Sequence, residues 1–219
     1  MTVRMTDIKH HLTDALLMAY SAGTLPEAFN LAVATHLSMC DECRARLGAF
    51  DSVGGALLEG CDTVAMAGDS LDATLARIAG TPTAPSQPPR KRAGDVPAPL
   101  DDYIGGRLDA VKWRPVGMGV KQAILPTTRD ASARLLYIPA GTAVPDHGHR
   151  GTELTLVLRG AFSDEADHFG PGDIEVANED LHHTPVADIG EDCICLAVTD
   201  APLRFRGLIP RIAQPFLRI

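Results

Sequence analysis

The chain has 219 residues, 45% apolar and 22% charged, with a net charge of −8. Such a length predicts two domains, and such a composition is that of an ordinary soluble protein. No apolar run reaches the roughly 18 residues of a membrane span, and the opening MTVRMTDIKHH lacks the apolar core of a signal peptide, so a cytoplasmic protein without membrane contact is expected.

From Asp7 to Ala22 the apolar residues Ile8, Leu12, Ala15, Leu16 and Ala19 recur three and four apart, predicting an amphipathic helix that Gly23 ends. Pro26 opens a second helix that runs to about Met39. A third begins near Asp41 and continues through Leu47 and Phe50, and a shorter one covers about Ser70 to Ile78. Residues 1–80 therefore read as a small helical domain. Residues 81–100, TPTAPSQPPRKRAGDVPAPL, contain six prolines and read as a semi-extended linker, with the PRKR run at 89–92 a solvated charge cluster.

In residues 101–219 the period changes to two. Lys121 to Leu125, Ala133 to Ile138, Leu154 to Leu158, Asp173 to Val176, Cys193 to Val198 and Leu203 to Phe205 are short runs bounded by turn residues, predicting a β-sandwich or barrel. Residues 1–80 carry 10 acids and 5 bases and residues 101–219 carry 17 and 12, so both presumptive domains are acidic. That argues against direct nucleic-acid binding, which rests on neutralising phosphates, and favours a basic protein partner.

Five cysteines, an odd number, fit metal or thiol chemistry better than a disulfide framework. His36, Cys40 and Cys43 stand at i, i+4 and i+7, on one face where the second helix gives way to the third. Imidazole and thiolate are the donors a tetrahedral structural Zn²⁺ prefers. A fourth donor comes from His10 or His11; on a helix His11 shares a stripe with Ile8, Ala15 and Met18 and points inward, which favours it. An 80-residue helical piece buries a limited core, so such a zinc would contribute heavily to its folding.

In the second half, GTAVPDHGHRGTELTLVLRG matches at every interval the first motif of the cupin family, whose two histidines and glutamate bind a metal inside a barrel. Here those residues are His147, His149 and Glu153, and the two-residue spacing puts both histidines on one face of a strand. The second cupin motif supplies another histidine after a Gly-Asp; from Gly172-Asp173 the spacing selects His183 over His182, although Asn178 and Asp180 replace the family's Pro and Gly. Such donors suit zinc or another divalent metal. Cys193 and Cys195 share a strand face, as core residues or as an oxidant-sensitive pair, and Cys61 has no visible partner.

The run HLTDALLMAYSAGTLPEAFNLAVATHLSMCDECRAR, followed by a cupin, resembles the ChrR-type zinc-binding anti-sigma factors over essentially the whole chain. The resemblance implies zinc at His11, His36, Cys40 and Cys43, a second metal in the barrel, and a helical domain that holds an extracytoplasmic-function-type sigma factor inactive. It also implies release on an oxidative signal, singlet oxygen or an organic hydroperoxide, through the cupin, and no enzymatic activity. The expected fold is α + β in two domains, a helical zinc bundle and a cupin barrel or jelly roll. The alternative from another class is a metal-dependent cupin dioxygenase or isomerase, which leaves the first metal motif unexplained.

Overall fold

The structure, a computed structural model, describes residues 8–81 and 96–205. Most of the Pro-rich stretch, including the PRKR run, lies outside the described residues.

Helix α1 (Asp14–Ser21) starts at Asp14, not at Asp7 as the apolar spacing predicts. Thr13 caps it, accepting the Leu16 N–H through Oγ1. The residues before it are extended because their backbone is engaged elsewhere. The Lys9 and His10 N–H groups donate to one carboxylate oxygen of Asp173 at 2.6 and 2.9 Å, and the His10 carbonyl accepts from the Ile174 N–H at 3.3 Å. Gly23, at φ 67°, turns the chain out of α1.

Helix α2 (Glu27–Leu37) buries eight of its eleven residues, which makes it apolar nearly all round, as a central helix must be. Its one buried hydroxyl, on Thr35, is satisfied by donating to the Leu31 carbonyl at 2.6 Å. Helix α3 (Asp41–Glu59) runs past Phe50, where the apolar spacing ends, and everything from Asp51 onward is exposed. Helix α4 (Ser70–Gly80) buries no residue at all.

A fifth helix, α5 (Ala98–Ile104), occupies the end of the stretch read as linker and packs on α2, with Leu100 fully buried. Glu27, in the first turn of α2, accepts from Tyr103 Oη at 2.8 Å and from the Thr128 N–H at 2.7 Å, tying helix to barrel.

Twelve strands follow among the described residues: β1 (Arg114–Gly117), β2 (Val120–Ile124), β3 (Ser132–Ile138), β4 (His147–Gly148), β5 (Glu153–Arg159), β6 (Phe162–Ser163), β7 (His168–Phe169), β8 (Ile174–Ala177), β9 (His182–His183), β10 (Val186–Ala187), β11 (Cys193–Thr199) and β12 (Arg204–Phe205). They form an antiparallel six-stranded sheet, in the order β1-β2-β3-β11-β5-β8, and two small sheets, β10-β6-β7 and β12-β4-β9. The six runs of the sequence correspond to β2, β3, β5, β8, β11 and β12. The other two-residue strands, β4, β6, β7, β9 and β10, are too short to show a period, and the apolar spacing does not mark them.

The large sheet is covered on both faces, which explains why β11 reads as an almost unbroken apolar run. On its outer face Leu135, Leu154, Leu156, Ile174, Leu196 and Val198 share one core with Leu17, Phe29, Leu31 and Leu37 of the helices. On the inner face Arg134, Glu153, Thr155, Glu175, Cys195 and their neighbours line a cavity of about 280 Å³ inside the barrel. The Gly172 turn before β8 packs closely on the segment that precedes α1. At φ 92°, a β-carbon there would stand 2.7 Å from the Ile8 side chain, so only glycine fits.

Candidate metal centres

The knuckle between α2 and α3 assembles the first centre. Cys40 is the N-cap of α3, and its sulfur accepts the Cys43 N–H at 3.4 Å, so both thiols turn back toward the last turn of α2. His36 Nε2 lies 3.3 Å from Cys43 Sγ, and His11 Nδ1 lies 3.3 Å from Cys40 Sγ and 3.7 Å from Cys43 Sγ. Zn–N and Zn–S bonds of about 2.05 and 2.3 Å at a tetrahedral angle separate N from S by about 3.5 Å, so this spacing fits one ion. The four donor atoms all lie within 4.8 Å of one another.

The structure places His11 rather than His10 in this cluster, but not by the helical stripe that favoured it. His11 sits on the extended segment before α1, and alternation along that segment separates the two rings. His10 faces the barrel surface, 3.1 Å from Asp167 and with its ring tilted against Phe169. His36 Nδ1 donates to the Gly172 carbonyl at 3.0 Å, and His11 Nε2 is 3.2 Å from Glu42. Each ring is thereby oriented from behind, leaving the other nitrogen to coordinate. Burial pushes His36 down to about 4, only partly offset by that carbonyl, so the ring is neutral at pH 7. Burial and the neighbouring Cys40 thiol push Cys43 up to about 11, so binding a divalent cation there releases protons.

The second centre lies in the barrel. Strands β4 and β9 pair with His147 directly opposite His183, and His149 follows two residues on. These three rings converge, with donor atoms within 4.8 Å, and His149 Nε2 is 3.4 Å from His183 Nε2. Two Zn–N bonds at a tetrahedral angle give about the same separation. His147 Nδ1 donates to the Pro145 carbonyl at 2.9 Å, which assigns the lone pair to its Nε2.

Glu153, the fourth residue of the cupin pattern, lines the same cavity but is not within the close cluster. One of its oxygens is 3.5 Å from His149 Nδ1 and the other accepts from Thr155 Oγ1 at 3.2 Å. Burial alone would push this carboxyl up. The His149 hydrogen bond and the charge of the three rings outweigh it and hold the group below the usual range. His183 shows the opposite balance: burial opposes its charge, but Glu175 and Asp164 raise it to about 9.

Asp164 and Glu175 escaped the sequence reading, yet with His183 they form a third group of donors within 4.8 Å. Glu175 had a signal, being an acid in the otherwise apolar alternation of β8, whereas Asp164 sits in a loop that has no period. Cys193 and Cys195 are both buried with sulfurs 3.4 Å apart, and Cys195 lines the cavity. The Cys193 hydrogen bond and burial raise the Cys195 thiol well above its ordinary value, which keeps it protonated and a poor nucleophile. Cys61 is exposed.

Similarity to known proteins falls on both parts. The family described as the ChrR cupin-like domain matches residues 102–202. Anti-sigma-E factor ChrR of Cereibacter sphaeroides is 61% identical over 212 residues, which is 97% of this chain and 99% of that protein. The anti-sigma ChrR solved in complex with SigE of Rhodobacter sphaeroides superposes with a TM-score of 0.76 at 61% identity, over 88% of this chain and 99% of that one. Helices, knuckle, barrel and relatives agree, and the chain belongs to the ChrR family of anti-sigma factors.

Proposed function

We propose that this protein binds a sigma factor of the extracytoplasmic-function type and keeps it from RNA polymerase, and that it is a regulator with no enzymatic activity of its own. The observation that carries this is the helical arm from Asp51 to Gly80. Leu57, Leu58, Leu71, Leu75 and Ile78 are each more than half exposed along it, whereas α2 buries eight of its eleven residues. A row of that kind marks a surface for another protein. The helical unit, residues 1–80, is acidic, which suits a basic DNA-binding partner and speeds encounter with it.

In this reading zinc is held by His11, His36, Cys40 and Cys43, and it fixes the angle between α2 and α3 and hence where the arm projects. Two thiolates and two imidazoles are the donor set zinc prefers. The barrel of residues 101–219, joined through the connector at 81–100, is the sensory unit. Its metal, zinc or another divalent ion, is held by His147, His149, His183 and Glu153. When bound, that ion would supply Lewis acidity beside a largely apolar cavity. Access for a small apolar oxidant supports singlet oxygen or an organic hydroperoxide as the signal. No described helix is long and apolar enough to cross a membrane, in keeping with action beside the polymerase in the cytoplasm.

The test is Leu71→Asp with Leu75→Asp. Both positions are exposed, so the variant should fold and melt like the parent while capture of the sigma factor falls at least 100-fold. Unchanged capture would remove the arm from the interface.

A further inference from the structure

Two buried carboxylates stand behind His183 and belong to neither proposed ligand set. Asp164 Oδ2 accepts from His183 Nδ1 at 2.9 Å, and Glu175 Oε1 lies 3.0 Å from the same nitrogen. Their side chains are 0% and 6% exposed, and that Glu175 oxygen has no well-aligned hydrogen-bond partner. Burying one carboxylate is costly unless it is paired, and placing two on one nitrogen compounds the cost. For stability alone, a neutral side chain would serve better at position 175.

Both groups are placed by the fold. The Asp164 carboxylate accepts the Ala166 and Asp167 N–H groups at 2.9 and 3.0 Å, which locks its orientation. Glu175 lies within β8, opposite Thr155 of β5, and points into the barrel. The ring they grip turns its other nitrogen toward His149 Nε2, into the histidine cluster. A histidine whose rear N–H donates to a carboxylate is fixed in one tautomer and made a stronger donor at the front.

We propose that Asp164 and Glu175 are positioning residues for the barrel metal: Asp164 accepts the Nδ1–H of His183, Glu175 flanks the same nitrogen, and together they present the Nε2 lone pair to the ion. This rests on the reading that His147, His149, His183 and Glu153 hold a metal.

The experiment compares full-length parent, Asp164→Asn, Glu175→Gln, His183→Ala and the exposed-site control Glu179→Gln, with metal counted per chain and Zn²⁺ titrated against a chromogenic chelator. The parent and Glu179→Gln should bind two equivalents. Asp164→Asn and Glu175→Gln should weaken one equivalent 10- to 100-fold, the size expected for such partners, and leave the other unchanged. ¹⁵N-histidine spectra of the metal-loaded parent should show His183 protonated at Nδ1, a signature that should blur in both variants. That signal is read even if a variant is less stable. Parent-like affinity and tautomer in both variants would overturn the proposal. A third equivalent in the parent, lost with either carboxylate, would also overturn it by making these residues ligands of their own ion. One equivalent in the parent, unaffected by His183→Ala, would refute the barrel-metal reading itself.

Discussion

Asp173 offers the sharpest energetic test of how the two parts are joined. Its carboxylate is almost fully buried and takes three backbone donors: Lys9 at 2.6 Å, His10 at 2.9 Å and Gly170 at 2.8 Å. Two of these belong to the segment that carries His11. In Asp173→Ala all three lose a charged acceptor, and hydrogen bonds to charged groups contribute about 1.5–3 kcal/mol each. Lys9 is exposed and its N–H can return to water, so a loss of about 4 kcal/mol is expected. Asp173→Asn retains one oxygen for Lys9 and His10 and should lose about half as much, by the same reckoning. Urea unfolding gives the difference directly, and chelator extraction should empty the helical centre faster in the Ala variant, because His11 is no longer tethered. A loss below about 1 kcal/mol would mean that the hydrogen bonds do not hold the segment, and that the packing of Ile8 and Leu12 suffices.

Cys43→Ser should remove the helical metal and, since a structural zinc contributes on the order of 10 kcal/mol, leave α1 to α3 far less stable than in the loaded protein; circular dichroism under urea with metal analysis checks both. Acid should act on the same helices. His36 is held at about 4 against an ordinary 6.5, so the unfolded chain binds the extra proton first. Metal-free protein should therefore be unaffected above pH 6.5 and lose about 3 kcal/mol as pH falls to 4, measurable as a shift in urea midpoint. A flat profile across that window would show that the ring is not desolvated. Tyr103→Phe, which removes the 2.8 Å bond to Glu27 across the α2–α5 contact, should cost about 1 kcal/mol in the same assay.

How far the sequence announces this molecule depends on the range of the forces involved. The knuckle of His36, Cys40 and Cys43 is local, set by one helix end and one N-cap, and its spacing alone reveals it. The helical stripe that favours His11 does not form, because Asp173, more than 160 residues away, draws the backbone of Lys9 and His10 into an extended form. The strands of the large sheet are legible from composition, but not that helices cover their outer face. Only the identity of the buried set, Leu154, Leu156, Leu196 and Val198 sharing a core with Phe29 and Leu31, reveals it. In the barrel, His147, His149 and His183 are recognisable by interval. Their carboxylate partners Asp164 and Glu175 are not, since closure of the barrel alone brings them to His183.

The central claim is that metal-ordered helices silence a sigma factor. Transcription in vitro from a sigma-dependent promoter, with RNA polymerase, the cognate sigma factor and one equivalent of this protein, tests it most directly. The metal-loaded protein should reduce transcript to background, and the Cys40→Ser, Cys43→Ser double variant should leave it at the level of sigma factor alone. Undiminished transcription with the loaded protein, or equal repression by the double variant, would contradict the account.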